Sequence, residues 1–153
     1  MLRSVRFYSV ASGWPDSEQE LSEALLRTPF KPCGPLTERS SGWEPPAPQV
    51  PSLLARRVSG SDLLRLRSQV RVLPTGAVNE ALEARIEEYR ARAQEEPSRR
   101  TKRQLKDQTR DELLPKALVR SERTLGLYVQ AERVIAVGSA SETGAERYLV
   151  QVP

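Results

Sequence analysis

The side chains of this sequence that could do chemistry are mostly cations. Arg65, Arg67 and Arg71 recur at even steps just after Arg56 and Arg57. Further on, Arg99, Arg100, Lys102, Arg103, Lys106 and Arg110 crowd together, with Lys116 and Arg120 behind them. Guanidinium and ammonium groups donate charge-assisted hydrogen bonds to phosphate oxygens, so the chemistry on offer is contact with a polyanion. The formal net charge is only +4, but residues 53–73 carry +4 and residues 99–110 carry +5, and the remaining segments are each slightly acidic. Charge segregated in this way makes a local positive field even on a nearly balanced molecule. Nucleic acid is the partner that fits. For each basic stretch the competing explanation is a solvated face whose charges merely keep the protein in solution.

Other chemistries find little support. There is no histidine, so the single cysteine, Cys33, has no partner for a catalytic dyad. One cysteine also excludes an intramolecular disulfide and fits a reducing compartment, with the cytoplasm as the default. The carboxylates fall mostly on helix surfaces as charge pairs, whereas phosphodiester cleavage needs them clustered around divalent ions. No P-loop, nucleophile elbow, dinucleotide fingerprint or zinc-spaced cysteine cluster is present. A non-enzymatic protein without metal or cofactor is therefore expected. No apolar run approaches the roughly 18 residues of a membrane helix, so no membrane partner is expected either.

The elements that must position these cations are legible in outline. Val5 and Phe7 alternate with Arg6 and Tyr8 as a strand over about residues 3–10. The arginine- and serine-rich, acid-free stretch Met1–Gly13 also has the composition of an organellar transit peptide. Asp16 or Ser17 caps a helix that buries Leu21, Ala24 and Leu25 and stops before Pro29. Residues 29–52 hold seven prolines and read as an ordered but irregular connection anchored by Trp43. Residues 53–73 read as a hairpin turning at Ser59-Gly60-Ser61-Asp62, with Leu64, Leu66, Val70 and Val72 on one face and Arg65, Arg67, Gln69 and Arg71 on the other.

A helix then places Val78, Leu82, Ile86, Tyr89 and Ala93 on one side and ends at Pro97. Ser98 caps a second helix whose opening turn is cationic, where the helix dipole prefers anions. Helix stability does not explain that choice. Leu125, Leu127 and Val129 alternate into a second hairpin with Val134–Val137, and Ser141 caps a last turn or two of helix. With 38% hydrophobic residues and few aromatics, the chain is expected to form an extended or incomplete unit. Tyr148, Leu149, Val150 and Val152 are expected to find little to pack against. The fold class is α+β, built of β-hairpins, an N-terminal helix and a projecting antiparallel helical hairpin. Its sheet-containing body covers residues 1–73 and 117–153, and the basic hairpin covers 74–116.

Four stretches in order carry a resemblance: Phe30-Lys31-Pro32-Cys33-Gly34, Gly42-Trp43-Glu44-Pro45-Pro46, Leu73-Pro74 leading into Val78–Ile86, and Leu113-Leu114-Pro115-Lys116-Ala117 ahead of Ser139-Ala140-Ser141. Together they resemble the N-terminal half of the recombination-associated RdgC family. The resemblance implies a nucleoid-associated protein that binds double-stranded DNA as a ring-shaped homodimer and restrains RecA-driven strand exchange. It begins at Met1 and covers only the family's first half, so the fold is expected to be incomplete relative to the family and the chain to reach an open dimer at most. Leu114, Leu118 and Val119 are the expected interface. Leu118 stands where the family commonly carries an aromatic residue. Exonuclease activity has been attached to the family, but the residues above do not suggest it. A non-catalytic protein-interaction module, or an RNA-binding accessory factor using the same basic hairpin, remains the alternative.

Overall fold

The structure is a computed structural model that describes residues 3–153, so the first two residues of the Met1–Gly13 stretch lie outside the described residues. Its elements run β1 (Arg6–Ser9), α1 (Glu18–Leu25), β2 (Arg39–Glu44), β3 (Ala55–Val58), β4 (Ser61–Val72), α2 (Thr75–Ala93), α3 (Arg99–Leu113), β5 (Leu118–Val129), β6 (Val134–Val137) and α4 (Glu142–Gln151). The described strands form a six-stranded sheet in the order β1-β6-β5-β4-β2, with β3 paired to β4. The fold class is α+β. The chain divides into two compact units. One comprises residues up to Lys31 with Ser40–Ser68 and Ser121–Pro153, and the other comprises Pro32–Arg39 with Gln69–Arg120.

The first unit holds the core. β4 buries Asp62, Leu64 and Leu66 and turns Leu63, Arg65 and Arg67 the other way, as strand alternation requires. Leu21 and Leu25 of α1, with Ala145 and Tyr148 of α4, pack on the buried face against Trp43, Leu54, Ala55, Leu64, Leu66, Tyr128, Ile135 and Val137. The β3–β4 hairpin closes through Ser59 at φ 51 and Gly60 at φ 78, the positive pair that a two-residue turn matched to strand twist needs. Gly126 is fixed by Tyr148: a Cβ there would run into the phenol ring and its hydroxyl. That hydroxyl donates to Leu64 O at 3.1 Å, and Trp43 meets the Tyr148 ring edge-on at 5.2 Å.

Three expectations are corrected here. The proline-rich stretch is not wholly irregular, because residues 39–44 form β2 and Trp43 is a core strand residue, 1% exposed. Without alternating apolar residues, a regular strand leaves no periodic signal. The last helix is not a turn or two but ten residues, and Tyr148 is fully buried. This helix closes over the sheet and places Ala145 and Tyr148 in the core. β5 begins at Leu118, well before the first alternating leucine.

The second unit is a helical pair with its anchoring loop. α2 ends at Gln94 in the left-handed conformation, ahead of Pro97, and Ser98 caps α3 by accepting from Thr101 N at 3.2 Å. Arg85 of α2 pairs with Glu112 of α3. Arg71 ties the loop down. Its guanidinium donates to the carbonyls of Gly34 at 3.1 Å and Leu114 at 3.3 Å, and to those of Cys33, Pro115 and Ala117.

Candidate nucleic-acid interface

In the first unit the outward positions of three neighbouring strands converge on one carboxylate. Glu44 sits at the end of β2, where Trp43 points into the core and alternation turns Glu44 outward. Arg65 of β4 donates Nε–H to Glu44 Oε1 at 2.7 Å, and Arg123 of β5 donates Nε–H to the same oxygen at 2.9 Å. Arg67 approaches the other oxygen at 3.9 Å, with its guanidinium 4.4 Å above the Phe30 ring. The Phe30 backbone lies against β2 so closely that a Cβ on Gly42 would collide with it. Three cations around one anion leave the face positive. Arg65, Arg123 and Arg3 also bound an open pocket of about 370 Å³ together with Ser4, Leu125, Gly138 and Ala140.

In the second unit the opening turns of α3 carry Arg99, Arg100, Lys102, Arg103 and Lys106, all exposed. Among the described residues none of these five makes an ion pair. Arg110, further along, pairs with Glu38 at 2.8 Å. No acidic residue occupies the first turn, so Arg99, Arg100 and Lys102 there, with Arg103 just beyond, meet the positive end of the helix dipole uncompensated. Lys116 and Arg120 are exposed beyond the helix.

The sequence-selected residues thus fall into distinct roles. Arg65 and Arg67 share the Glu44 cluster. Arg71 is committed to backbone carbonyls inside its own unit, so its donors hold a loop in place. Arg57, expected near the basic face, grips the fully buried Asp62 at 2.7 Å and is drawn into the core network with Trp14. Of the expected interface residues, Leu118 and Val119 are 81% and 44% exposed, whereas Leu114 is 8% exposed. Sequence reasoning missed Glu44, Arg123 and Arg3. Glu44 was hidden among prolines, and Arg123 lies in a stretch of β5 that is polar on both faces and so carries no alternating signal.

A family model described as "Putative exonuclease, RdgC" matches residues 1–152. The chain belongs to the RdgC family. Among curated relatives, the recombination-associated protein RdgC of Bordetella pertussis is 32% identical over 115 residues, covering 75% of this chain and 38% of its own length. That of Laribacter hongkongensis is 31% identical over 134 residues, covering 84% and 45%. The same-named protein of Pseudoalteromonas atlantica is 23% identical over 150 residues, covering 98% and 50%. The chain therefore spans half or less of the length of these RdgC relatives. Among the described residues, no group of three or more His, Cys, Asp or Glu side chains is placed to hold a metal ion. No helix of the described residues is long and apolar enough to cross a membrane.

Proposed function

We propose that this RdgC-family chain binds double-stranded DNA through the phosphate backbone, without sequence preference and without catalysis, and so takes part in modulating RecA-dependent recombination in the nucleoid. The observation that carries the reading is the opening of α3, where Arg99, Arg100, Lys102 and Arg103 stand exposed and, among the described residues, without an ion pair near the end of a helix that disfavours them. Residues kept against the stability of their own helix are explained by a ligand that supplies the missing negative charge. A recombination-associated name on the relatives points to the same ligand. The non-catalytic part is supported by the carboxylates, several of which are held in ion pairs, Glu44 with Arg65, Asp62 with Arg57, Glu38 with Arg110 and Glu96 with Arg90, and which among the described residues form no metal-holding cluster.

A salt titration of duplex binding tests the proposal. Affinity is expected to fall steeply, with log affinity against log salt contributing a slope of about −0.9 for each phosphate neutralised. Duplexes of different sequence should bind alike. An affinity indifferent to salt, or confined to one sequence, would refute it.

A further inference from the structure

Two of the arginines around Glu44 engage it through the Nε–H edge of their guanidinium groups. Arg65 and Arg123 both present Nε–H to one oxygen, at 2.7 and 2.9 Å, and neither has another side-chain or backbone partner for its terminal amino groups among the described residues. A guanidinium carries five N–H donors in a rigid plane, so fixing the Nε edge fixes where the other four point. Glu44 is well shielded, with its side chain 15% exposed, while Arg123 is 45% exposed. The carboxylate is therefore the most shielded member, and both arginines keep part of their side chains in solvent. Phe30 orients the third member, Arg67, whose Nε is buried and finds no partner within the protein. Beside the cluster, the pocket bounded by Arg3, Arg65 and Arg123 is ample for a phosphate group.

We infer that Glu44 is a positioning residue that assembles Arg65, Arg67 and Arg123, with Arg3 at the rim, into an oxyanion site on the sheet, and that its ligand is a phosphate group. Without Glu44, three like charges on adjacent strands repel and their planes lose a common orientation. With it, two terminal amino edges are preorganised for bidentate contact with phosphate oxygens, which lowers the ordering cost of binding. This rests on the reading of the chain as a duplex binder only for the source of the phosphate. The site itself is a statement about oxyanions.

The sign of one substitution separates this idea from simple electrostatics. Glu44→Gln adds a positive charge to the molecule, so charge alone would tighten binding to a polyanion. Loss of the carboxylate charge, which leaves only a neutral amide oxygen to hold two guanidinium groups together, instead weakens it. On the full chain, E44Q is expected to bind a short duplex about tenfold more weakly at low salt, the worth of one charge-assisted hydrogen bond. Its salt slope should be smaller by about one neutralised phosphate.

A second arm uses inorganic phosphate at constant ionic strength, following the Nε–H resonances of Arg65 and Arg123 by NMR. Saturable shifts are expected in the unaltered chain and not in E44Q. If E44Q does not fold, Arg123→Gln at its exposed position serves the same purpose, with disappearance of the Arg65 shift expected. E44Q or R123Q binding duplex as tightly as the unaltered chain would overturn the inference, as would an absence of phosphate shifts. Phosphate shifts in a chain that fails to bind any duplex would keep this site and refute the DNA reading.

Discussion

Single residues in the first unit divide between holding the fold and offering charge. Asp62 is the clearest of the former: fully buried, it accepts from Arg57 Nε at 2.7 Å, Arg57 Nη2 at 2.9 Å and Trp14 Nε1 at 2.7 Å. The hydrogen bond to Asp62, opposed by burial and aided by the charges of Asp62, Glu18 and Asp16, raises the Arg57 pKa above its ordinary value. Removing one partner of such a network leaves donors unpaired, so Asp62→Ala is expected to cost about 3 kcal/mol in urea unfolding. Tyr148 gives a second residue-scale test. Burial pushes its hydroxyl pKa well up. Below the ordinary tyrosine range, near pH 10, folded and unfolded chains both keep the proton and stability is unaffected. Above it the unfolded chain ionises while the folded chain does not, so stability is lost as pH rises. Unfolding free energies measured between about pH 8 and 11 should fall more steeply at the alkaline end for the unaltered chain than for Tyr148→Phe.

At the scale of elements, α3 sets charge against helix formation. Replacing Arg99, Arg100, Lys102 and Arg103 with alanine removes cations from the wrong end of the dipole and inserts the best helix former. Helix content by circular dichroism is expected to hold or rise while duplex affinity falls, with the salt slope reduced by about 0.9 for each phosphate no longer neutralised. Unchanged affinity at low salt would leave these residues as solvated surface. This element was legible because its signals are local: Ser98 as cap, Pro97 before it and a cationic run within one helix. The β3–β4 hairpin was legible for the same reason, through alternation in Leu64 and Leu66 and a Ser-Gly turn. β2 was not, since its burial comes from Trp43 meeting Tyr148 far along the chain and from Gly42 lying against the backbone of Pro29 and Phe30. The Glu44 cluster shares that difficulty. Three strands bring together positions 44, 65, 67 and 123, and no spacing within any one strand announces it. Arg71 shows the converse, a residue whose alternation with its neighbours suggested a role in ligand binding but whose donors the tertiary structure turns inward.

For the whole molecule, the charge is distributed so that a small net value conceals two concentrated blocks along the sequence, and the proposed association with a polyanion is expected to depend on those blocks more than on the net charge. Assembly is a separate matter. The family resemblance implies a ring, and a ring needs joints strong enough to stay shut once ionic attraction to DNA is screened. The interface expected at residues 114–119 cannot draw on Leu114, which is buried in its own unit, and so has only Leu118 and Val119 as exposed apolar side chains. Two such side chains fall far short of the roughly 800 Å² per partner of a stable interface. An assembly held there opens readily. On a nicked circular plasmid, this chain is therefore expected to dissociate at high salt as fast as from a short linear duplex. A closed ring would behave differently, staying threaded on the circle after its attraction to phosphate was screened while leaving the linear DNA by its ends. The comparison is made at a salt concentration that abolishes binding to the linear duplex. Retention on the circle alone would show that this chain closes a ring through surfaces other than Leu118 and Val119.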